Sequence, residues 1–186
     1  MRVCVLVLTT AVMLVGCATG GARGSSALQG CYDAANGLVA VAPGLAACNR
    51  AIAATGLPDE LRAATLVNRG IVRMNARQYD SAIADYDAAL ALAPGNADAW
   101  LDKGIALVRM GGRDAEALTV LTTALDHDPR KPELVYYHRA AANENLGRLR
   151  AAYEDYAEAA QLAPGWSEPT MQLQRFKFIR RKALAG

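Results

Sequence analysis

Two histidines, four cysteines and eighteen carboxylates are the groups from which this 186-residue chain could build a reactive site. His127 and His138 have no cysteine or serine nucleophile at a recognisable spacing, and the chain holds no H-E-x-x-H stretch. His127 lies between Asp126 and Asp128, just before Pro129, and reads as a cation placed favourably at a helix C-terminus. The carboxylate pairs Asp85/Asp87 and Glu154/Asp155 fall on helix surfaces expected to face solvent. Gly20-Gly21-Ala22-Arg23-Gly24 lacks the lysine that completes a phosphate-cradling loop. Cys31 and Cys48 have no nearby histidine or further cysteine to complete a tetrahedral metal site. The expectation is a non-catalytic chain with no cofactor and no metal.

The remaining side chains are suited to packing and to contact with a partner. A chain of this length can bury roughly 70% of its unfolded surface, and 53% hydrophobic residues exclude intrinsic disorder. Thirty-nine alanines favour helix throughout. A net charge of +2 argues against a nucleic-acid partner, which calls for a marked basic excess.

Residues 1–16 read as an export signal. Arg2 supplies the positive flank, and the apolar run from Val3 to Val15 is broken only by Thr9 and Thr10. That run is shorter than the about 20 residues a membrane-spanning helix needs. It ends in Leu14-Val15-Gly16-Cys17. These four residues resemble the lipobox of bacterial lipoproteins, which implies that Cys17 is acylated and becomes the new N-terminus. The alternative is ordinary cleavage after a small residue such as Ala18, giving a soluble periplasmic or secreted product. Ala18, not an aspartate, implies the outer membrane over the inner. Residues 17–25, rich in Gly, Ser and Ala, read as a flexible tether. The expected location is thus the periplasmic face of the cell envelope, with a lipid anchor as the membrane contact. With Cys4 removed, Cys31 and Cys48 remain as an even pair. Asn36-Gly37 can end one helix and Pro43 can open the next, which sets the two cysteines across a helical hairpin. An oxidising periplasm permits a disulfide there; the other reading is two small buried hydrophobes.

Internal repetition organises the rest of the chain. Pro94, Pro129 and Pro164 stand 35 residues apart. Before each lies a helix carrying Tyr86, Leu121 or Tyr156, preceded by a small residue, Ala82, Ala117 or Ala152. The helix before that carries a bulky residue and a small one four places on: Leu66/Gly70, Trp100/Gly104 and Tyr136/Ala140. Turns between the paired helices fall at Ala76-Arg77-Gln78-Tyr79, Gly111-Gly112-Arg113 and Gly147-Arg148-Leu149.

This pattern resembles the tetratricopeptide repeat. It covers 63–166 in three units (63–96, 97–132 and 133–166), with an extra glycine in the middle turn and Pro132 after it. The resemblance implies an all-α fold, a right-handed α-solenoid of helical hairpins. Residues 26–58 read as a degenerate first hairpin. Residues 167–186 read as a capping helix that Ser167 opens and that runs through Met171, Leu173, Phe176 and Ile179.

Such solenoids expose a concave surface lined by their first helices, and the resemblance implies that a peptide or protein binds there. The candidate lining is Val67, Ile71 and Met74; Leu101, Ile105 and Val108; and Tyr137, Ala141 and Glu144, with Asn68, Asn75, Asp102, Arg109, His138 and Asn145 as polar neighbours. Several of these apolar residues could equally pack between units. The basic-and-asparagine clamp by which some relatives hold a terminal carboxylate is not evident; only Arg109, Asn68 and Asn75 could contribute to one. The last helix carries Arg175, Lys177, Arg180, Arg181 and Lys182 with no acid after Glu168, a solvated face or a contact for anionic lipid or an acidic partner. Exposure of Phe178 would favour the second. The resulting expectation is an envelope adaptor that binds an envelope protein or peptide segment. Its rival is a structural or self-associating lipoprotein whose groove is filled by its own C-terminal helix, and the oligomeric state is left open.

Overall fold

The computed structural model describes residues 20–185, with side chains over 26–176. The expected signal 1–16, Cys17 and the side chain of Phe178 lie outside those described residues. Nine helices and no strand occur among them: α1 (Gly20–Ala35), α2 (Val41–Ile52), α3 (Asp59–Asn75), α4 (Tyr79–Leu92), α5 (Ala97–Met110), α6 (Asp114–Asp126), α7 (Pro132–Asn145), α8 (Leu149–Leu162) and α9 (Ser167–Ala185). The fold is an all-α solenoid.

Local chemistry sets the helix ends. The Asn96 side chain accepts a hydrogen bond from the Ala99 N–H at 3.0 Å and caps α5. Pro132 opens α7, where its missing N–H costs nothing. The α7–α8 turn needs a left-handed residue, and Gly147 supplies it at φ 72°. In the α3–α4 turn the same place is held by Arg77 at φ 60°, a conformation that costs a residue with a Cβ roughly 1 kcal/mol.

Side-chain size fixes how the paired helices approach. A Cβ placed on Gly70 would lie 2.5 Å from the Tyr86 ring, and one on Gly104 would lie 2.5 Å from Leu121. The small residue is the hole and the large one its filling. Tyr86, Leu121, Ala82, Ala117, Ala140 and Ala152 are buried. Trp100 links successive units, its Nε1 donating to the Pro94 carbonyl at 2.8 Å.

Each helix packs on the next along the chain. The odd helices also touch one another, α1 on α3, α3 on α5 and α5 on α7, whereas α4, α6 and α8 make no comparable contacts among themselves. A stack that closes up along one row of helices and opens along the other must curve, with the odd row inside. The concave face is therefore built from α3, α5 and α7.

At the N-terminal end, α1 starts at Gly20, so residues 20–25 of the expected tether are helical. Elongating a helix already held by packing fixes one residue per added bond and tolerates weak formers. Among its described side chains the α1–α2 pair buries Ala27, Ala34, Ala47, Ala51 and two cysteines, and no large one. A disulfide joins Cys31 to Cys48, and a cross-link over this separation contributes about 3 kcal/mol where the core is thin. At the other end Leu173 and Phe176 of α9 pack, with Tyr137 of α7, on Ala140, Ala152 and Tyr156. The described side chains of α9 thus cover the end of the stack. Ser167 lies inside α9 by these bounds, its hydroxyl bonded to Glu168 at 3.2 Å.

Candidate functional site

Two rows of polar residues cross the concave face. Asn68, Asp102 and His138 hold equivalent positions on α3, α5 and α7, and Asn75, Arg109 and Asn145 stand seven residues further on. Seven residues of helix separate the rows by about 10.5 Å. Asn75, Arg109 and Asn145 are exposed, and Asn68, Asp102 and His138 are half-buried.

The apolar lining is less available than expected. Met74, Leu101 and Ile105, expected in the groove, are buried core residues at 7%, 5% and 7% exposure. Val67, Ile71 and Val108 are half-buried against the same cluster. The reason is the curvature itself: first helices that touch consume the apolar positions between them. Tyr137 packs on Trp166 with ring centroids 4.7 Å apart and on Tyr156 at 5.4 Å. Ala141 is half-buried, and Glu144 is held by Arg175 of α9 at 2.5 Å.

Against Gly70 of α3 lies a buried tyrosine. Tyr86 is fully buried, and its phenolic oxygen has no hydrogen-bond partner among the described residues. The equivalent Tyr156 donates to the Glu144 carboxylate at 3.4 Å. On α3 the position equivalent to Glu144 is Met74, which offers no oxygen. Burial pushes the Tyr86 hydroxyl pKa up, and the carboxylates of Asp102 and Asp85 add to the effect.

The ionisable members of the first row are also strained by desolvation. Burial, then the neighbouring Asp98, pushes Asp102 up to about 7, although Lys131, Arg109 and Arg130 pull the other way. Burial, then the Arg109 charge, holds His138 down at about 4, so it is a neutral imidazole at pH 7. Asp98, by contrast, is bound by Arg130, and Asn145 donates to Asp114 at 2.8 Å.

The carboxylate pairs expected to face solvent divide. Asp87 and Glu154 are exposed, whereas Asp85 and Asp155 are buried at 2% and 6%. Arg69 binds Asp85 at 2.6 Å and Arg73 binds it at 2.7 Å. Arg139 binds Asp155 at 2.6 Å, and Asn143 donates to it at 3.1 Å. A buried carboxylate persists only when charge and hydrogen bonds surround it. The signal was present in the repeat: an arginine precedes each aspartate by 16 residues. The middle unit has Val120 at the corresponding place, and Lys103 turns instead to Asp87 on α4 at 2.6 Å. On the outer side a cleft of about 590 Å³ between α6 and α8 is floored by Arg139, Asn143 and Asp155, groups that already satisfy one another. No cluster of metal-ligating side chains occurs among the described residues.

Comparison with known proteins matches this architecture. The tetratricopeptide repeat profile matches residues 67–132 and again 134–165, together just over half of the chain. Over 109 residues the chain is 35% identical to serine/threonine-protein phosphatase 5 of Mus musculus, a stretch that makes up 58% of this chain and 21% of that protein. The chain thus spans about a fifth of the length of the curated relatives it matches. Among solved structures it is similar to the first TPR of Spaghetti (RPAP3) bound to the HSP90 peptide SRMEEVD, with 26% identity and a TM-score of 0.61 over 69% of this chain and 100% of that one. MamA 41-end from Desulfovibrio magneticus RS-1 superposes with a TM-score of 0.71 at 20% identity, over 89% of this chain and 86% of that one, a likeness of fold alone.

Proposed function

The chain belongs to the tetratricopeptide repeat family, a family of protein-protein interaction scaffolds, and from that premise we propose that it is a non-catalytic adaptor lipoprotein of the bacterial cell envelope. Its concave face of α3, α5 and α7 holds a segment of another envelope protein. One observation carries this reading: the odd helices close the inside of the curve and leave two rows of polar side chains there. The described side chains of α9 lie on the end of the stack, which leaves the faces of α3 and α5 to a partner. The similar RPAP3 structure, bound to a peptide of HSP90, supports the same use of the fold. The phosphatase relatives share only a fifth of their length with this chain, and no phosphatase activity is proposed.

The anchor is part of the proposal. The likeness of Leu14-Val15-Gly16-Cys17 to a lipobox supports an acylated Cys17 at the head of the mature chain, and two or more acyl chains make such attachment durable. Ala18, in place of an aspartate, supports the outer membrane over the inner in this reading. Export to an oxidising compartment also fits a cross-link between Cys31 and Cys48.

A photo-crosslinking amino acid installed at single sites in the full-length, palmitate-labelled protein tests both parts in living cells. Sites 68 and 75 on the concave face are expected to give discrete adducts with a membrane-fraction protein, and sites 122 and 162 on the outer helices to give none. Cys17→Ser is expected to lose the label and release the protein from the membrane fraction. Adducts from the outer sites alone would contradict the groove, and label retained in Cys17→Ser would contradict the anchor.

A further inference from the structure

The inner face of α5 leaves two opposite charges unanswered. Neither Asp102 nor Arg109 takes part in an ion pair among the described residues, while the charges around them do: Asp98 with Arg130, Lys103 with Asp87, and Glu144 with Arg175. Asp102 is half-buried and destabilised as an anion by that burial; Arg109 is exposed at the far end of the same helix. A partly desolvated carboxylate with no cation in direct contact, only the more distant charges of Lys131, Arg109 and Arg130, gains from an incoming one, because the cost of its burial is already present in the free protein. The Tyr86 hydroxyl, fully buried and without a partner, lies within the field of the Asp102 carboxylate. The Asp102 carboxylate can accept hydrogen bonds from an incoming side chain, so its level of α5 is an acceptor site. Arg109 is a donor-only residue two turns further on, its backbone about 10.5 Å away along the axis.

We propose that the groove selects a partner segment carrying a basic side chain for Asp102 and an acidic side chain for Arg109, set about three residues apart in an extended chain. The spacing follows from the rise of an extended chain, about 3.3 Å per residue, against the separation along α5. Asn68 and Asn75 on α3 face the same two levels, and their amides can both donate to and accept from the segment's backbone. A segment with an acid at the Asp102 level is rejected, since two carboxylates there would share one poorly solvated site. This inference rests on the concave-face reading above and names the chemistry of its ligand.

Selection of random twelve-residue peptides displayed on phage against the folded, disulfide-bonded protein tests it. The peptides enriched on the natural sequence are expected to share a basic and an acidic residue about three positions apart. Asp102→Asn and Arg109→Gln, each confirmed folded by circular dichroism, are each expected to weaken the enriched peptides at least tenfold. The double variant Asp102→Lys with Arg109→Glu is expected to enrich the reversed charge order. Enrichment of peptides that lack this pair and bind both single variants equally would overturn the charge rule and leave the groove standing. Failure of any peptide to enrich would overturn the rule and the groove together.

Discussion

Replacing Tyr86 with alanine is expected to cost about 3–5 kcal/mol of folding stability, read from the midpoint of urea unfolding. The ring fills the hole made by Gly70 and lies in the core shared by α3, α4, α5 and α6, so truncation leaves a cavity between two units at once. Tyr86→Phe is expected to do the opposite and leave stability unchanged or raise it by about 1 kcal/mol. The hydroxyl it deletes is buried with no partner, and an unpaired buried polar group is a standing cost. Tyr156→Phe supplies the contrast: its hydroxyl bonds Glu144, so the same deletion is expected to lower stability by about 1 kcal/mol. Equal losses from both phenylalanine variants would show that the Tyr86 hydroxyl has a partner.

Asp102→Asn is expected to gain stability relative to the natural protein as the pH rises. The carboxyl has its ordinary value of 3.8 when unfolded and about 7 when folded. Below pH 4 it is protonated in both states and contributes no difference. Between pH 4 and 7 the folded chain keeps a proton that the unfolded chain has released, so stability falls as the pH rises, and the full cost is present above about 7. A shift of this size corresponds at face value to about 4 kcal/mol; because the side chain still reaches water, about 2 kcal/mol is expected. The measurement is the stability gap between variant and natural protein at pH 4 and at pH 8. His138 does not disturb it. Its value is depressed to about 4, so it lowers stability as the pH falls from 6.5, but equally in both proteins. A gap independent of pH would contradict the desolvated setting of Asp102.

Much of this architecture is legible in the sequence because packing holes leave a size code. Gly70 with Tyr86, Gly104 with Leu121 and the prolines 35 residues apart are each a steric requirement written as a residue type. The groove is legible only in part. Met74, Leu101 and Ile105 have the same helical period as a lining would, and period alone does not tell a face between two helices from a face toward a ligand. Their burial depends on how closely α3, α5 and α7 approach, which is a property of the whole stack. Asp85 and Asp155 look like ordinary surface acids until each is paired with the arginine 16 residues before it. The unpaired hydroxyl of Tyr86 depends on one difference between units, Met74 where Glu144 stands, and shows only when the two are superposed.

The most direct test of the concave face as the binding surface is the ¹H–¹⁵N chemical-shift map of the folded protein with a selected peptide. The largest changes are expected at Asn68, Asp102, Arg109 and His138 on α3, α5 and α7, with the outer helices α4, α6 and α8 nearly unmoved. Changes centred on those outer helices would contradict it.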